Sequence, residues 1–522
     1  MERFVSGENI HSELSTQKEK VRQIPICLII PPSTFLADER VFPFLGPLKV
    51  AAELRKNGNT VEVLDLSGYG NFEEVVDQYI SNTDMRVFGL TATTPQIPAA
   101  GRVVERIRSK IPDAQIILGG PHATLVHTGM QEDMKSGREG RGTDAFHRIE
   151  EIFDKLVIGD GENAVFYAID PENTNKVIDA GSLKSNLFMS KGTLEGYSYP
   201  ARDLVDLDSY HYLIDGKRAF SVIGQLGCPF ECGFCGGRDS SVFRVARTRQ
   251  PSDVVNEIEE VVRTSMSKGN PYEAVMFYDD ELNVVPRALE ELCTELINLQ
   301  DRLGIDMCFR GFVKAELFSP EQAKLMYKAG FRILLTGVES GSDEILNTMR
   351  KHTSRKINSQ CVQYAHEAGL KVKALMSIGH PGESENTIAD SVEWVLNNKP
   401  DDVDWTIITQ YPGSPYFDKS VYVEESDAWL YIEPKTRNRL WSRSLDYLKE
   451  AEYYKGIPGE YIAYVWTDYL SSEMLVKFRD QAEETTRKKL KLSSIVSTTV
   501  QQFDHSMGQG QLPSNILKSS SK

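Results

Sequence analysis

The chain has 522 residues, of which 40% are hydrophobic and 26% charged, and a formal net charge of −16. That length calls for two or three domains with ample core, and the composition is that of a globular protein. The negative balance argues against broad adhesion to nucleic acid or anionic membrane, and no apolar run is long enough to span a bilayer.

Residues 1–23 are polar, lack the apolar core of a secretory signal, and are expected to form a flexible N-terminus. From residue 24 short β-branched runs alternate with amphipathic segments. Strands are predicted at 24–30, 60–66, 87–91, 115–118 and 156–158, and helices at 48–57, 72–81 and 99–111. This alternation predicts a parallel, doubly wound (Rossmann/flavodoxin-like) sheet over 24–170. Small residues fill the loops after its strands, including Thr91-Ala92-Thr93-Thr94-Pro95 and Gly119-Gly120-Pro121-His122. Ligands of open parallel sheets bind at those ends, and glycine permits close backbone approach. Residues 130–142, charged and glycine-containing, read as an exposed insertion, and 171–217 as a connecting segment.

A second α/β series follows over 218–420. Its strands are predicted at 219–225, 274–280, 305–312, 333–338, 371–379 and 403–410, with helices at 252–265, 286–302, 320–329, 358–368 and 386–397. Six strand–helix units predict a partial (β/α)6 TIM-type barrel with its site at the C-terminal strand ends. Residues 421–500 read as an aromatic-rich helical C-terminal region, and 501–522, rich in Gln, Ser and Gly, as a disordered tail.

Cys228, Cys232 and Cys235 stand just past the first strand of the second series, in Cys-Pro-Phe-Glu-Cys-Gly-Phe-Cys. A cubane iron–sulfur cluster normally takes four thiolates, so a trio implies one iron left open for a small molecule. Zinc is the rival, but structural zinc wants four ligands and no second Cys or Cys/His pair stands nearby. Cys27, Cys293, Cys308 and Cys361 are scattered singly, as reduced core thiols are, which points to a reducing, cytoplasmic compartment.

The C-x3-C-x2-C spacing followed by Gly236-Gly237 resembles the radical S-adenosylmethionine (SAM) superfamily. The resemblance implies a [4Fe-4S] cluster on the three cysteines, with SAM chelated at the open iron and cleaved to a 5′-deoxyadenosyl radical. It also implies an electron donor such as flavodoxin or ferredoxin. Phe234 matches an aromatic position near the adenine. Further motifs close later strands in the family's order. Asp279 in Phe-Tyr-Asp-Asp-Glu is implied at the SAM amino end, and Glu339 and Ser340 in Gly-Val-Glu-Ser-Gly at SAM, with Glu339 on the ribose. Gly379 and Pro381 in Gly-His-Pro-Gly-Glu are implied beside the adenine. Each has a plainer reading as a turn or helix cap.

The first series resembles the cobalamin-binding domain that precedes the radical core in one subclass. The resemblance rests on Leu118-Gly119-Gly120-Pro121-His122, on Gly159-Asp160-Gly161-Glu162, and on the pattern from Pro47 to Asp65. It implies cobalamin contacts at Thr91, Thr93, Gly119, Gly120, His122, Gly159 and Glu162. The Asp-x-His-x-x-Gly motif that supplies a lower cobalt ligand in the mutases is absent, so His122 is expected to bond backbone or a ligand amide.

Together these resemblances imply a cobalamin-dependent radical SAM enzyme. The leading expectation is a methyltransferase acting on an unactivated carbon or a phosphinate centre of a small-molecule or peptide substrate. The alternatives are a non-methylating ring contraction or cyclisation, a methylthiotransferase, a cobalamin-binding carrier and a zinc-stapled structural protein.

Overall fold

The computed structural model describes residues 7–33, 39–190, 194–451 and 461–492. The chain opens with α1 (Gly7–Lys20), where a flexible terminus was expected. The helix is docked: Gln17 Nε2 and Lys20 Nζ donate to the Asp170 carboxylate at 3.0 and 2.8 Å, and Val21 is buried. Its many Glu, Gln and Lys residues are good helix formers, and their polarity masks the docking face.

The first domain alternates β1 (Ile26–Ile30), α2 (Leu45–Asn57), β2 (Val61–Asp65), α3 (Phe72–Ile80), β3 (Val87–Thr91), α4 (Ile97–Lys110) and β4 (Gln115–Gly119). It continues through α5 (Pro121–Lys135), α6 (Arg141–Ile152), β5 (Lys155–Gly159), α7 (Gly161–Ala168) and β6 (Val177–Ala180). The strands are parallel in the order β2-β1-β3-β4-β5-β6. Alternation sends Ile26 and Leu28 into the layer under α2 and α7, and Cys27 and Ile29 into the layer under α3, α4 and α6. Order reverses between β1 and β3, the place where such sheets bind ligands.

Two segments differ from their sequence reading. Residues 130–142 are the α5–α6 hairpin, not an insertion. Gly142 packs so tightly on Gly129 that an added Cβ would meet its carbonyl carbon at 2.5 Å, and Asp133 accepts the Thr143 amide at 3.0 Å. The segment after residue 170 is more than a connection, because β6 adds a sixth strand to the sheet.

The second sheet begins with β7 (Leu213–Ile214), antiparallel to β8 (Lys217–Val222). β9 (Gln225–Leu226), α8 (Ser241–Arg244) and β10 (Arg247–Thr248) follow, with β9 and β10 forming a short ribbon. Then come α9 (Pro251–Ser267), β11 (Ala274–Phe277), α10 (Pro286–Leu303), β12 (Cys308–Phe312), α11 (Pro320–Ala329) and β13 (Phe331–Glu339). The series closes with α12 (Asp343–Thr348), α13 (Arg355–Glu367), β14 (Lys371–Ile378), α14 (Glu385–Asn398) and β15 (Asp402–Ile407). The six strands β8 and β11–β15 are parallel neighbours in chain order, a half-barrel as predicted.

After α15 (Pro415–Asp418) the chain forms an antiparallel sheet rather than the expected aromatic-rich helices. Its strands are β16 (Val421–Val423), β17 (Ala428–Ile432), β18 (Arg439–Ser442) and β19 (Val465–Thr467). Trp429, Tyr431, Trp441 and Trp466 stand on them, and the Trp441 and Trp466 rings pair across strands, as aromatic side chains favour on a pleated surface. One helix, α16 (Ser472–Leu490), ends the described chain and lies along the outer strand of the half-barrel. There Glu483 accepts the Trp405 amide at 3.1 Å, Arg479 donates to the Trp405 carbonyl at 2.8 Å, and Arg487 donates to Val403 at 3.0 Å. The tail at 501–522 lies outside the described residues. Among those residues no helix is long and apolar enough to cross a membrane.

Candidate cofactor-binding active site

The cysteine loop springs from the β9–β10 ribbon. It leaves through Gly227, whose φ of +80° and contact with Val245 exclude any side chain, since an added Cβ would lie 2.2 Å from the Val245 carbonyl oxygen. The Cys228 amide then donates to the Phe243 carbonyl at 2.9 Å. Arg238 fixes the loop from beneath: its guanidinium donates to the carbonyls of Cys228 at 2.7 Å and Phe230 at 3.0 Å. Burial pushes the Cys228 thiol up and the Cys235 thiol up to about 12, while Arg238 pulls both the other way. Ligation of a metal would deprotonate them, and Arg238 is placed to offset the resulting charge.

Among the described residues, no three His, Cys, Asp or Glu side chains are grouped tightly enough to hold a single metal ion. The trio lacks the closed four-ligand shell of structural zinc. Three thiols with no fourth donor fit a cubane cluster with one exposed iron.

Glu339 ends β13 with a φ of +63°, a backbone conformation rare for a side-chain-bearing residue and often retained at functional sites. Its carboxylate pairs with Lys351 Nζ at 3.2 Å and accepts from Ser377 Oγ at 2.8 Å. Ser377 Oγ in turn lies 2.8 Å from His380 Nε2, and the His380 ring meets Phe234 edge-on at 5.3 Å. A polar chain thus runs from β13 to a residue beside Cys235. Burial holds His380 neutral, pushing its pKa down to about 3. Burial opposes the charge on Lys351, but Glu339 and the thiol of Cys232 outweigh it and push its pKa up.

Glu281, Lys314, Glu316, Lys351, Ser377 and His380 were not singled out from the sequence. Lys314 pairs with Glu316 at 2.5 Å and sits 4.1 Å from the centre of the Phe230 ring. Burial pushes Glu281 up to about 7, with Lys351 and Lys314 as its opposing cations. Position shortly after a strand was the available signal for Glu281, Lys314, Glu316 and His380; Ser377 lies within β14 and Lys351 follows α12.

Of the residues expected at SAM, Phe234 and Glu339 are drawn together through Ser377 and His380. Asp279 is not with them. Its Oδ1 accepts the Gly224 amide at 2.6 Å, in a small pocket walled by Val254, Val285 and Leu289. The regular strand ends at Phe277, so strand alternation does not set where Asp279, Asp280 and Glu281 point. Ser340 is turned toward α14, where its hydroxyl lies 3.1 Å from Ser391 Oγ. Gly379, with φ of +93°, makes the turn that presents His380, and an added Cβ there would touch Val465 and Leu475 of the C-terminal region at 3.3 and 3.4 Å. Pro381 is buried in the same turn.

A cleft of about 340 Å³ opens where the first domain meets the cysteine loop. Thr91, Gly119, Gly120, Gly159 and Glu162, five of the residues expected at cobalamin, line it opposite Leu226, Gly227, Phe243 and Asp280. Seven glycines (Gly46, Gly89, Gly119, Gly120, Gly159, Gly161 and Gly227) leave its wall bare, a cradle fit for a large flat group. Burial pushes the Glu162 carboxyl up, but Lys49 at 2.9 Å outweighs this and leaves it below the usual range. Thr93 and His122 lie elsewhere. The Thr93 amide and hydroxyl both donate to Gln96 Oε1 at 2.9 Å, capping the turn before α4. His122 is buried with Nδ1 3.1 Å from Thr94 Oγ1 and lines a different cavity.

The family model for the B12 binding domain matches residues 41–150, and that for the Radical SAM superfamily matches 222–395. The chain is a radical SAM protein with an N-terminal B12-binding domain. The first match covers Gly46, Gly89, Thr91, Gly119 and Gly120 of the cleft, and the second covers the cysteine trio, Glu339, Ser377 and His380. This radical SAM protein is 24% identical to the anaerobic magnesium-protoporphyrin IX monomethyl ester cyclase of Rubrivivax gelatinosus, over 73% of this chain and 67% of that one. It is 23% identical to the hopanoid C-3 methylase of Methylococcus capsulatus, over 72% and 68% of the two chains. Among solved structures it resembles the radical SAM methyltransferase TsrM of Kitasatospora setae, with a TM-score of 0.57, 16% identity, and coverage of 75% and 74%. At that identity the likeness is one of fold.

Proposed function

We propose that this radical SAM protein is a cobalamin-dependent methyltransferase that acts on an unactivated carbon, or a phosphinate centre, of a small-molecule or peptide substrate. The observation that carries the reading is a shared wall. Leu226, Gly227 and Phe243 line the glycine-rich cleft, and Phe243 accepts the Cys228 amide at 2.9 Å. A group in the cleft would therefore lie against the loop that bears the three thiols.

When bound, the cluster would supply one electron for SAM cleavage and cobalamin would carry the methyl group, chemistry that no protein side chain offers. The chain's own residues bind and orient. Cys228, Cys232 and Cys235 would hold the cluster, with Arg238 offsetting their charge. Glu339, paired with Lys351, would accept the ribose hydroxyls of SAM. Phe234, braced by His380, would pack on the adenine. An electron donor of the flavodoxin or ferredoxin kind and a cytoplasmic, reducing setting belong to the same reading.

The test is an anaerobic incubation of reconstituted, cobalamin-loaded protein with CD3-labelled SAM, a reductant and candidate acceptors. Label in the acceptor supports the reading. SAM cleavage with acceptor conversion but no label would favour cyclisation, the second reading, which the cyclase relative supports.

A further inference from the structure

A second cavity, of about 120 Å³, shares no lining residue with the glycine-rich cleft. It is enclosed by α6, by Gln410 and Phe417 beyond β15, and by the C-terminal sheet with residues 443–448. Arg141, at the start of α6, is its central feature. The guanidinium donates to Gln410 Oε1 at 2.6 Å, Ser442 Oγ at 3.0 Å, Ser420 Oγ at 3.1 Å and the Phe417 carbonyl at 3.2 Å. It also lies over the Phe417 and Trp429 rings, at 3.9 and 4.9 Å from their centres. Every one of these partners is neutral. Among the described residues Arg141 has no carboxylate in ion-pair range, whereas the rim cations Arg148 and Arg443 are paired with Asp446 and Glu450, each at 2.7 Å. Burial pushes the Arg141 pKa down to about 10, which still leaves it charged at neutral pH. Arg141 is partly buried, and Asp418 and Asp133 favour its charge from outside ion-pair range, so a closer anion would add to its stabilisation.

Three polar atoms of residues that line the cavity are buried and unpartnered: Arg141 Nε, Gln410 Nε2 and His122 Nε2. His122 and Gln410 are 1% and 3% exposed. The Gln410 amide orientation is fixed, because its Oε1 accepts from both Arg141 and Ser442, so Nε2 is a free donor. His122 is neutral, its pKa pushed by burial down to about 3, and it carries its proton on Nε2 when the Thr94 hydroxyl donates to Nδ1. Three donors and the Arg141 charge thus border a space whose remaining lining includes Ile97, Ile149, Leu445 and Leu448, with Asp144 on its α6 side. We propose that this cavity is a binding site for a small carboxylate with a short apolar chain, separate from the cofactor cleft. The volume holds roughly 8–12 water-sized groups at about 10–15 Å³ each, room for a short-chain carboxylate. The carboxylate would face Arg141, Gln410 and His122, and the chain would fill the apolar side. The inference does not depend on the proposed methyl transfer.

Titration calorimetry on the full-length protein tests it, with butyrate, acetate and inorganic phosphate as probes and sodium chloride as the ionic-strength control. Butyrate should bind saturably at one site per chain, more tightly than acetate, and phosphate should not bind. Gln410→Leu removes the free donor together with the acceptor of Arg141 and Ser442, whereas Ala145→Leu fills space on the α6 wall and leaves every Arg141 acceptor in the sequence. Each should weaken butyrate at least 10-fold while hydroxocobalamin binding stays as in the wild type. No saturable heat with butyrate would overturn the site and leave a water-filled cavity. Phosphate binding as tight as butyrate, or undiminished butyrate affinity in Ala145→Leu, would overturn it equally.

Discussion

Arg247, beside the cysteine loop, and Asp160, at the carboxyl end of β5, form an ion pair across the boundary between the two α/β domains. Both line the cofactor cleft, and the Arg247 guanidinium also donates to the carbonyls of Met189 at 2.9 Å and Val242 at 3.0 Å. The pair fixes one wall of the cleft against the other. Removing one partner of a buried pair leaves an unpaired charge and costs about 3–5 kcal/mol, more than the net worth of the pair. Arg247→Met should lower unfolding stability on that scale. The double variant Arg247→Met/Asp160→Asn should recover most of the loss in the same denaturant titration.

Anaerobic reconstitution of the wild type should give close to four irons and four sulfides per chain. Replacing any one of Cys228, Cys232 or Cys235 by Ala should abolish reductive SAM cleavage, while Cys293→Ala and Cys361→Ala should keep it. The latter two are buried core thiols remote in sequence from the loop. Iron and sulfide retained at wild-type level in the triple alanine variant would sink the assignment.

Glu339 offers its carboxylate from a strained strand end with Lys351 as counter-ion. Glu339→Ala should weaken SAM binding by about 1–3 kcal/mol, the scale of charge-assisted hydrogen bonds, at unchanged iron content. Equilibrium binding and iron analysis on the same sample check both halves. Loss of iron together with SAM affinity would mark the residue as structural.

Asp279 supplies a pH test of its placement. Burial pushes its carboxyl from the ordinary 3.8 up to about 7. Below the lower value the folded and unfolded chains both hold the proton. Between the two values the folded chain keeps a proton that the unfolded chain has lost, so this group's contribution to stability falls as pH rises. Asp279→Asn keeps an acceptor for the Gly224 amide without the charge. Its stability relative to wild type should increase from pH 4 to pH 7, as followed by denaturant titration. A difference independent of pH would contradict the burial.

Full-length protein should bind hydroxocobalamin in the base-off form, and His122→Ala should leave the spectrum unchanged because His122 lies outside the cleft. Gly119→Leu places a side chain into the cleft from a position where an added Cβ meets only ordinary contacts, at 3.7 Å or more. It should weaken cobalamin binding at least 10-fold with the fold intact. Nitrogen ligation that vanishes in His122→Ala would overturn the base-off expectation.

The half-barrel and the doubly wound sheet were legible because both rest on periodicity: largely buried strands of four to nine residues, rich in β-branched and apolar side chains, spaced by amphipathic helices. The cysteine spacing was legible as local chemistry. What the sequence hid was contact between distant segments. Nothing local marks Lys351 as the partner of Glu339, or Arg141 as a residue packed between α6 and the C-terminal sheet, since both sit in charged runs that resemble solvated surface. The C-terminal aromatics were misassigned because strands β16–β18 are only three to five residues long, too short for their alternation to stand out. His122 carried the family's motif, yet a motif fixes order along the chain and not the direction of a side chain.

The helix along β15 has a further consequence. An open half-barrel ends in a strand whose amides and carbonyls invite a neighbouring chain to add to the sheet. Here Glu483, Arg479 and Arg487 occupy those backbone groups at Trp405 and Val403 with side chains of α16. The C-terminal region thus does for solubility what closure of the barrel does in a complete eight-stranded ring, and leaves the mouth open for large ligands. A chain shortened to residues 24–420 would present that edge to its neighbours.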